Sequence, residues 1–314
     1  VSLTGRTQRA AGLALGLVLA FPGGADALPP APPSADPAHP WLAGLSAEVP
    51  RVPLSEQFGP PPGFVPDAAP PGSFARFLRT LPVRLDRRTV LDFRGDPLDR
   101  PAAAVIYLDV GDRDLQQCAD TALRLYAEWR WQAGLAETSA FHFTSGDVTR
   151  FSDWVRGERI TAAGRGIARR AGPPRAAGHR SHRAWLDLVF LYAGTRSLAL
   201  DTDAVLPTAP VLAGDVFVDP GSPGHAVIVL DVARHPDGRS AALVGQSFMP
   251  AEDLHVLGAS APQTVDGVWF LLPGPGGSLA TPSWRPFPRE SARRFRDTRA
   301  TNLSGDGNRV KPRP

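Results

Sequence analysis

The run Asp109-Val-Gly-Asp-Arg-Asp-Leu-Gln-Gln-Cys-Ala-Asp-Thr-Ala-Leu-Arg-Leu-Tyr-Ala-Glu-Trp-Arg-Trp131 decides how the rest of the chain is read. Leu115, Cys118, Ala119, Ala122, Leu125, Tyr126 and Trp129 recur at the three-and-four spacing of one helix face. Gln116, Gln117, Asp120, Arg124 and Glu128 fall on the other faces. Asp114 followed three residues later by Gln117 reads as a capping-box variant, which sets Cys118, the only cysteine, in the first helical turn. Unpaired N–H groups and the positive end of the helix dipole favour a thiolate there. Ala103 to Val110 has the character of a strand and runs directly into this segment, so the helix is expected to lie across a sheet.

Working outward from the helix, Val83 to Leu85 and Val90 to Phe93 read as strands, with Arg94-Gly-Asp-Pro97 as the turn after them. On the C-terminal side, Phe141 and Phe143 alternate with His142 and Thr144 in a strand, and Asp147 to Arg159 has a helical pattern. Ala162 to Arg180, rich in Gly, Ala and Arg, predicts a solvated loop. Ser181 caps a further helix through Tyr192, stopped by Gly194. The period then changes. Asp215 to Val218, Ala226 to Val232, Ala242 to Phe248 and Val268 to Leu272 predict successive strands with turns between them. Helices first and antiparallel strands afterwards is an α+β pattern.

The chain has 314 residues, 43% of them hydrophobic, which is enough for a sizeable core and excludes disorder throughout. A net charge of +3, carried almost wholly by arginine with Lys311 the sole lysine, comes with no basic stripe interleaved with aromatics, so nucleic acid is not an expected partner. Arg6 and Arg9 precede an apolar run from Ala10 to Phe21 and then Ala25-Asp-Ala27. Charged, apolar and A-x-A regions in that order predict a signal peptide over 1–27, with export to the periplasm or the extracellular space. The apolar run is too short to span a bilayer, and no transmembrane segment is expected in the mature chain. Residues 28–72 are crowded with Pro, Ala and Gly and predict a linker, on which Trp41, Leu42, Leu45 and Val52 are placed to dock on a domain over 73–297. Residues 298–314 predict a polar, disordered tail. Arg289, Arg293, Arg294 and Arg296 read as a solvated helix face.

Gly214-Asp-Val-Phe-Val218 and Gly221-Ser-Pro-Gly-His-Ala-Val-Ile-Val-Leu-Asp231 predict a hairpin with His225 at the mouth of its second strand. A sheet fixes such a ring, and the small residues beside it leave room for a substrate. The next strand carries Gln246, within reach as a group that orients an imidazole. Cysteine, then histidine, then a polar amide is the order of a papain-like hydrolase, in which histidine deprotonates the thiol and N–H groups at the helix start hold the oxyanion. The Gly-Asp-Val-Phe and Gly-His-Ala-Val-Ile-Val pair is similar to the histidine hairpin of NlpC/P60 peptidoglycan hydrolases. That resemblance implies a cysteine-bearing helix packed on an antiparallel sheet.

A resemblance covering Leu81 to Phe295 rests on several longer motifs. Arg113-Asp-Leu-Gln-Gln-Cys-Ala-Asp120, Phe143-Thr-Ser-Gly146, Tyr192-Ala-Gly-Thr195, Gly221-Ser-Pro-Gly-His-Ala-Val-Ile-Val229 and Gln246-Ser-Phe-Met-Pro-Ala251 look like the bacterial domain of unknown function 4846. It implies exported bacterial proteins and supplies no reaction. The residues themselves leave three readings open. In the first, a cysteine hydrolase or acyltransferase acts on amide bonds of cell-wall peptides. Cys118 is its nucleophile, His225 its base and Gln246 the orienting amide, with Gln117 and first-turn N–H groups on the oxyanion and no cofactor required. In the second, an exported binding or scaffold domain buries Cys118 and His225 in its core. In the third, His142, His225, His255, Asp253 and Cys118 converge on zinc, though without H-E-x-x-H or C-x-x-C spacing.

Overall fold

Ten consecutive residues, His225 to Arg234, form the central strand of the molecule, and all but the last are buried. Such a run is apolar on both faces because both faces are covered. A computed structural model describes residues 39–43 and 50–297, all within one compact unit. Its main sheet has nine strands: β1 (Val65–Pro66), β2 (Ala102–Val105), β3 (Thr202–Ala204), β4 (Asp215–Asp219), β5 (His225–Arg234), β6 (Ser240–Gln246), β7 (His255–Leu257), β8 (Trp269–Leu271) and β9 (Ala292–Phe295). The order is β3-β9-β4-β5-β6-β7-β2, with β8 also on β6 and β1 on β5. Every pairing is antiparallel. The architecture is therefore mixed, a large antiparallel sheet with few helices.

Alternation along β5 sorts the core into two layers. Ala226, Ile228 and Leu230 face the helical layer, where they join Phe74, Leu123, Tyr126, Trp129 and Trp185. Val227, Val229 and Val232 face the other way, against Phe217, Val244, Phe270 and Phe287. The helical layer consists mainly of α1 (Phe74–Arg79), α2 (Cys118–Gln132), α3 (His179–Tyr192) and α4 (Thr195–Asp201).

Helix α2 begins at Cys118, later than the apolar spacing from Leu115 and the Asp114 cap predict. Gln117 is the N-cap, and the carboxylate of Asp120 accepts from its N–H at 3.1 Å. At the other end Gly134 takes φ 71°, and the N–H groups of Gly134 and Leu135 return to the carbonyls of Trp131 and Arg130. That is a Schellman stop, where a left-handed residue is required. Burial of Leu123 and Trp129 contributes roughly 1.5–3 kcal/mol each.

Four expectations are corrected. Residues 51–66, expected as linker, form β1, a strand Arg51–Pro53 paired with Pro82–Arg84, and a short helix Leu54–Gln57, so the folded region starts before Ser73. Leu54 there is wholly buried, and Trp41 and Leu42 are buried too. Asp147 to Arg159 is not one helix: strand Val148–Arg150 leads into helix Phe151–Val155, and the chain then enters a strand. Ala162 to Arg180 holds no simple loop, because Glu158–Ala163 and Gly166–Ala171 pair as a hairpin. The four C-terminal arginines share no helix face, and only Arg289 lies in a helical turn, Arg289–Ser291. Arg293, Arg294 and Arg296 lie in or just after β9, where Arg294 pairs with Asp215 at 2.6 Å, and Arg289 is buried. The predicted signal peptide and tail lie outside the described residues.

Candidate functional site

Two of the residues singled out for chemistry, His225 and Gln246, meet at one end of β5, while Cys118 approaches that end from the α2 side. Cys118, the first residue of α2, is half-buried. Its sulfur faces the backbone N–H groups of Ala226, Ala119 and Cys118 itself, each of which favours a thiolate. Ala226 immediately follows His225, so the thiol and the imidazole flank neighbouring residues of one strand. Their side chains approach it from different layers, since Ala226 faces α2 and His225 points to the side of Phe248, Trp284 and Phe287.

His225 heads a polar row across three strands. Its Nε2 lies 3.0 Å from Gln246 Oε1, the Gln246 Nε2 lies 3.5 Å from His255 Nε2, and the same amide nitrogen donates to Ser283 Oγ at 3.0 Å. His255 Nδ1 lies 3.1 Å from the carbonyl of Asp253. The carbonyl only accepts, so His255 carries its proton on Nδ1 and offers Nε2 as an acceptor. The Gln246 amide nitrogen then donates, its oxygen accepts, and His225 must be protonated at Nε2. One consequence is specific. His225 Nδ1 is left with a lone pair, and this atom is buried with no hydrogen-bond partner among the described residues.

Charge at this end is disfavoured on both partners. Burial, then the nearby Asp120 carboxylate, pushes the Cys118 thiol up to about 11, against the backbone N–H groups. Burial also lowers His225 to about 4, although the Gln246 hydrogen bond works the other way. At neutral pH the pair rests as thiol and neutral imidazole, contrary to the thiolate expected from helix position alone. Asp120, itself raised to about 8 by burial, accounts for part of the difference.

Other expectations fare unevenly. Gln117 directly precedes the cysteine, but its amide is engaged by Asp114 at 3.0 Å. The small residue before His225 makes room for protein rather than for a substrate: a Cβ on Gly224 would sit 2.3 Å from Thr195 Oγ1 and 2.7 Å from the Asp219 carbonyl. His142 stays apart from the row and pairs with Asp201 at 2.6 Å. The five zinc candidates therefore do not gather into one group. Sequence reasoning missed Ser283, Trp284 and Phe248 around the row. It named His255 without seeing that strand register sets it opposite Gln246.

These features define a mixed α and β domain with a cysteine-bearing helix end set against a histidine strand. Residues 54–294 match the family described as domain of unknown function (4846), and the chain belongs to that family. No curated protein and no solved structure matches it. Among the described residues no helix is long and apolar enough to cross a membrane.

Proposed function

We propose that this chain is an exported cysteine hydrolase or acyltransferase of papain-like arrangement, acting on amide bonds of cell-wall peptides. One observation carries the reading: the row through Gln246 and His255 leaves His225 with a free Nδ1 lone pair beside the residue whose N–H meets the Cys118 sulfur. Export rests on the predicted signal peptide, and the cell-wall substrate on the histidine hairpin motif.

In this reading substrate binding brings the Cys118 sulfur within reach of His225 Nδ1, and the thiol proton moves there as the sulfur attacks the amide carbon, so the thiolate forms only with substrate in place. Backbone N–H groups at the start of α2 hold the oxyanion. The imidazolium then returns its proton to the departing amine, leaving a thioester on Cys118. Water, or an acceptor amine, releases the acyl group through the same base. Gln246 keeps the Nε2 proton in place and so aims Nδ1.

The test is incubation of the full chain with peptidoglycan fragments, with products and protein mass read by mass spectrometry. Cys118→Ala should abolish cleavage and the acyl adduct, and His225→Ala should slow turnover by about 10²–10⁴-fold, the usual worth of a positioned base. A second reading, an exported binding domain, is favoured by a cleft of about 340 Å³ lined by Trp41, Leu42, Arg84, Tyr107, Asp109 and Asp253. There Arg84 stacks 4.0 Å over the Tyr107 ring. Fragments that bind wild type and Cys118→Ala equally, with no product formed, would select it.

A further inference from the structure

The polar face of α2 is not solvated. Arg124 and Glu128 are fully buried, as is His182 on α3. Arg124 Nε donates to Glu128 Oε1 at 2.7 Å, and its Nη2 reaches Asp109 Oδ1 at 2.6 Å. Asp109 thus supplies a second counter-charge to the guanidinium. The other Glu128 oxygen, Oε2, faces α3, where His179 Nε2 lies 2.8 Å away. His182, one turn further along α3, has both ring nitrogens buried and without a hydrogen-bond partner among the described residues. Trp131, Phe151 and Trp185 wall its ring with centroids 5.0–5.6 Å away, so no neighbour of that wall offers it an acceptor.

An imidazole stripped of water on both nitrogens costs free energy unless something takes its lone pair. One ligand atom each from Glu128, His179 and His182 lies within 4.8 Å of the others. We propose that these three residues form a binding site for a divalent cation of the zinc class, separate from Cys118 and independent of the hydrolase reading. Two imidazoles and a carboxylate are the donors that zinc takes, at bonds of about 2.0–2.2 Å. Small side-chain rotations bring donors from this spacing to that length. The ion takes the place of the proton that His179 Nε2 now shares with Glu128 Oε2, and His179 is then protonated at Nδ1. Arg124 on Oε1 orients the carboxylate as an outer-shell partner. Three protein donors leave a fourth position open, on the side where His179 is partly exposed.

The experiment loads the purified full chain with Zn²⁺, desalts it, and counts metal per chain, with Co²⁺ as a spectroscopic probe of the donors. The expected result is one Zn²⁺ per chain and Co²⁺ bands of a low-coordinate nitrogen and oxygen site. His182→Leu and His179→Gln should each weaken binding by more than the roughly 100-fold that an outer-shell change can cost. Cys118→Ala and His142→Ala should bind as wild type does. Circular dichroism of His179→Gln, a substitution at a partly exposed position, separates loss of a ligand from loss of the fold. Wild type holding no more Zn²⁺ than the His179→Gln/His182→Leu double variant would overturn the proposal. So would binding that survives both histidine substitutions or disappears in Cys118→Ala.

Discussion

Two histidines, His225 on β5 and His182 on α3, are buried in different ways. His225 is tied through Nε2 to Gln246, so its tautomer is fixed and its one orphan atom, Nδ1, is a directed acceptor. His182 has no such tie, and both its nitrogens are orphans beside an ionised carboxylate. The first arrangement suits a group that must receive a proton from a known direction. The second suits a ligand awaiting an ion. The chemistry a buried imidazole can perform is thus set by what holds its other nitrogen.

The largest expected effect sharpens the charged half of this comparison. Glu128→Ala leaves Arg124 fully buried with only Asp109 as counter-charge, and should cost about 3–5 kcal/mol in a urea unfolding series. A loss under about 1 kcal/mol would show that water or rearrangement relieves the guanidinium. Next comes one substitution made at both histidines. His225→Leu strands the Gln246 oxygen and should cost about 1–3 kcal/mol, whereas His182→Leu, in metal-free buffer, removes a group bonded to nothing and should be nearly neutral. Equal costs at the two sites would erase the distinction.

The pH dependence is smaller and has a definite sign. Below its ordinary pKa of 6.5, histidine in the unfolded chain takes up a proton that folded His225 refuses until about pH 4. Stability from this group is therefore complete above pH 6.5 and is lost as pH falls toward 4. Between pH 7 and 5 that is about 2 kcal/mol, which should be missing from the slope of His225→Leu. Parallel slopes for the two proteins would place the titration elsewhere. Smallest is the thiol itself. Alkylation of Cys118 by iodoacetamide without substrate should be slower than for a free thiol near neutral pH and should rise toward about pH 11. An inflection at or below about 8.5 would mean that the helix end outweighs burial.

Much of this organisation is legible in the sequence, for a physical reason. Helix α2 and strands β4, β5 and β6 carry apolar periodicities enforced by the layers they touch, and Cys118, His225 and Gln246 inherit their positions from them. The segments that misled lack that enforcement. The hairpin Glu158–Ala163 with Gly166–Ala171 is mostly exposed, so no alternation marks it, and its turn at Gly164 with φ 61° resembles loop composition. The stretch 51–66 is rich in proline yet contributes Leu54 and Phe64 to the core. The polar face of α2 is buried through pairing with α3, and one helix's periodicity carries no sign of a partner 51 residues away in sequence.

The most direct test of the central claim is the tautomer and titration of His225, read by nitrogen NMR on ¹⁵N-histidine-labelled protein and assigned with His225→Leu. The expected result is a proton on Nε2 and a bare Nδ1 from pH 8 down to about 4. A proton on Nδ1 at neutral pH, or titration near 6.5, would contradict the account. The first would mean that Nδ1 has no lone pair to offer the thiol, and the second that burial does not hold the ring neutral.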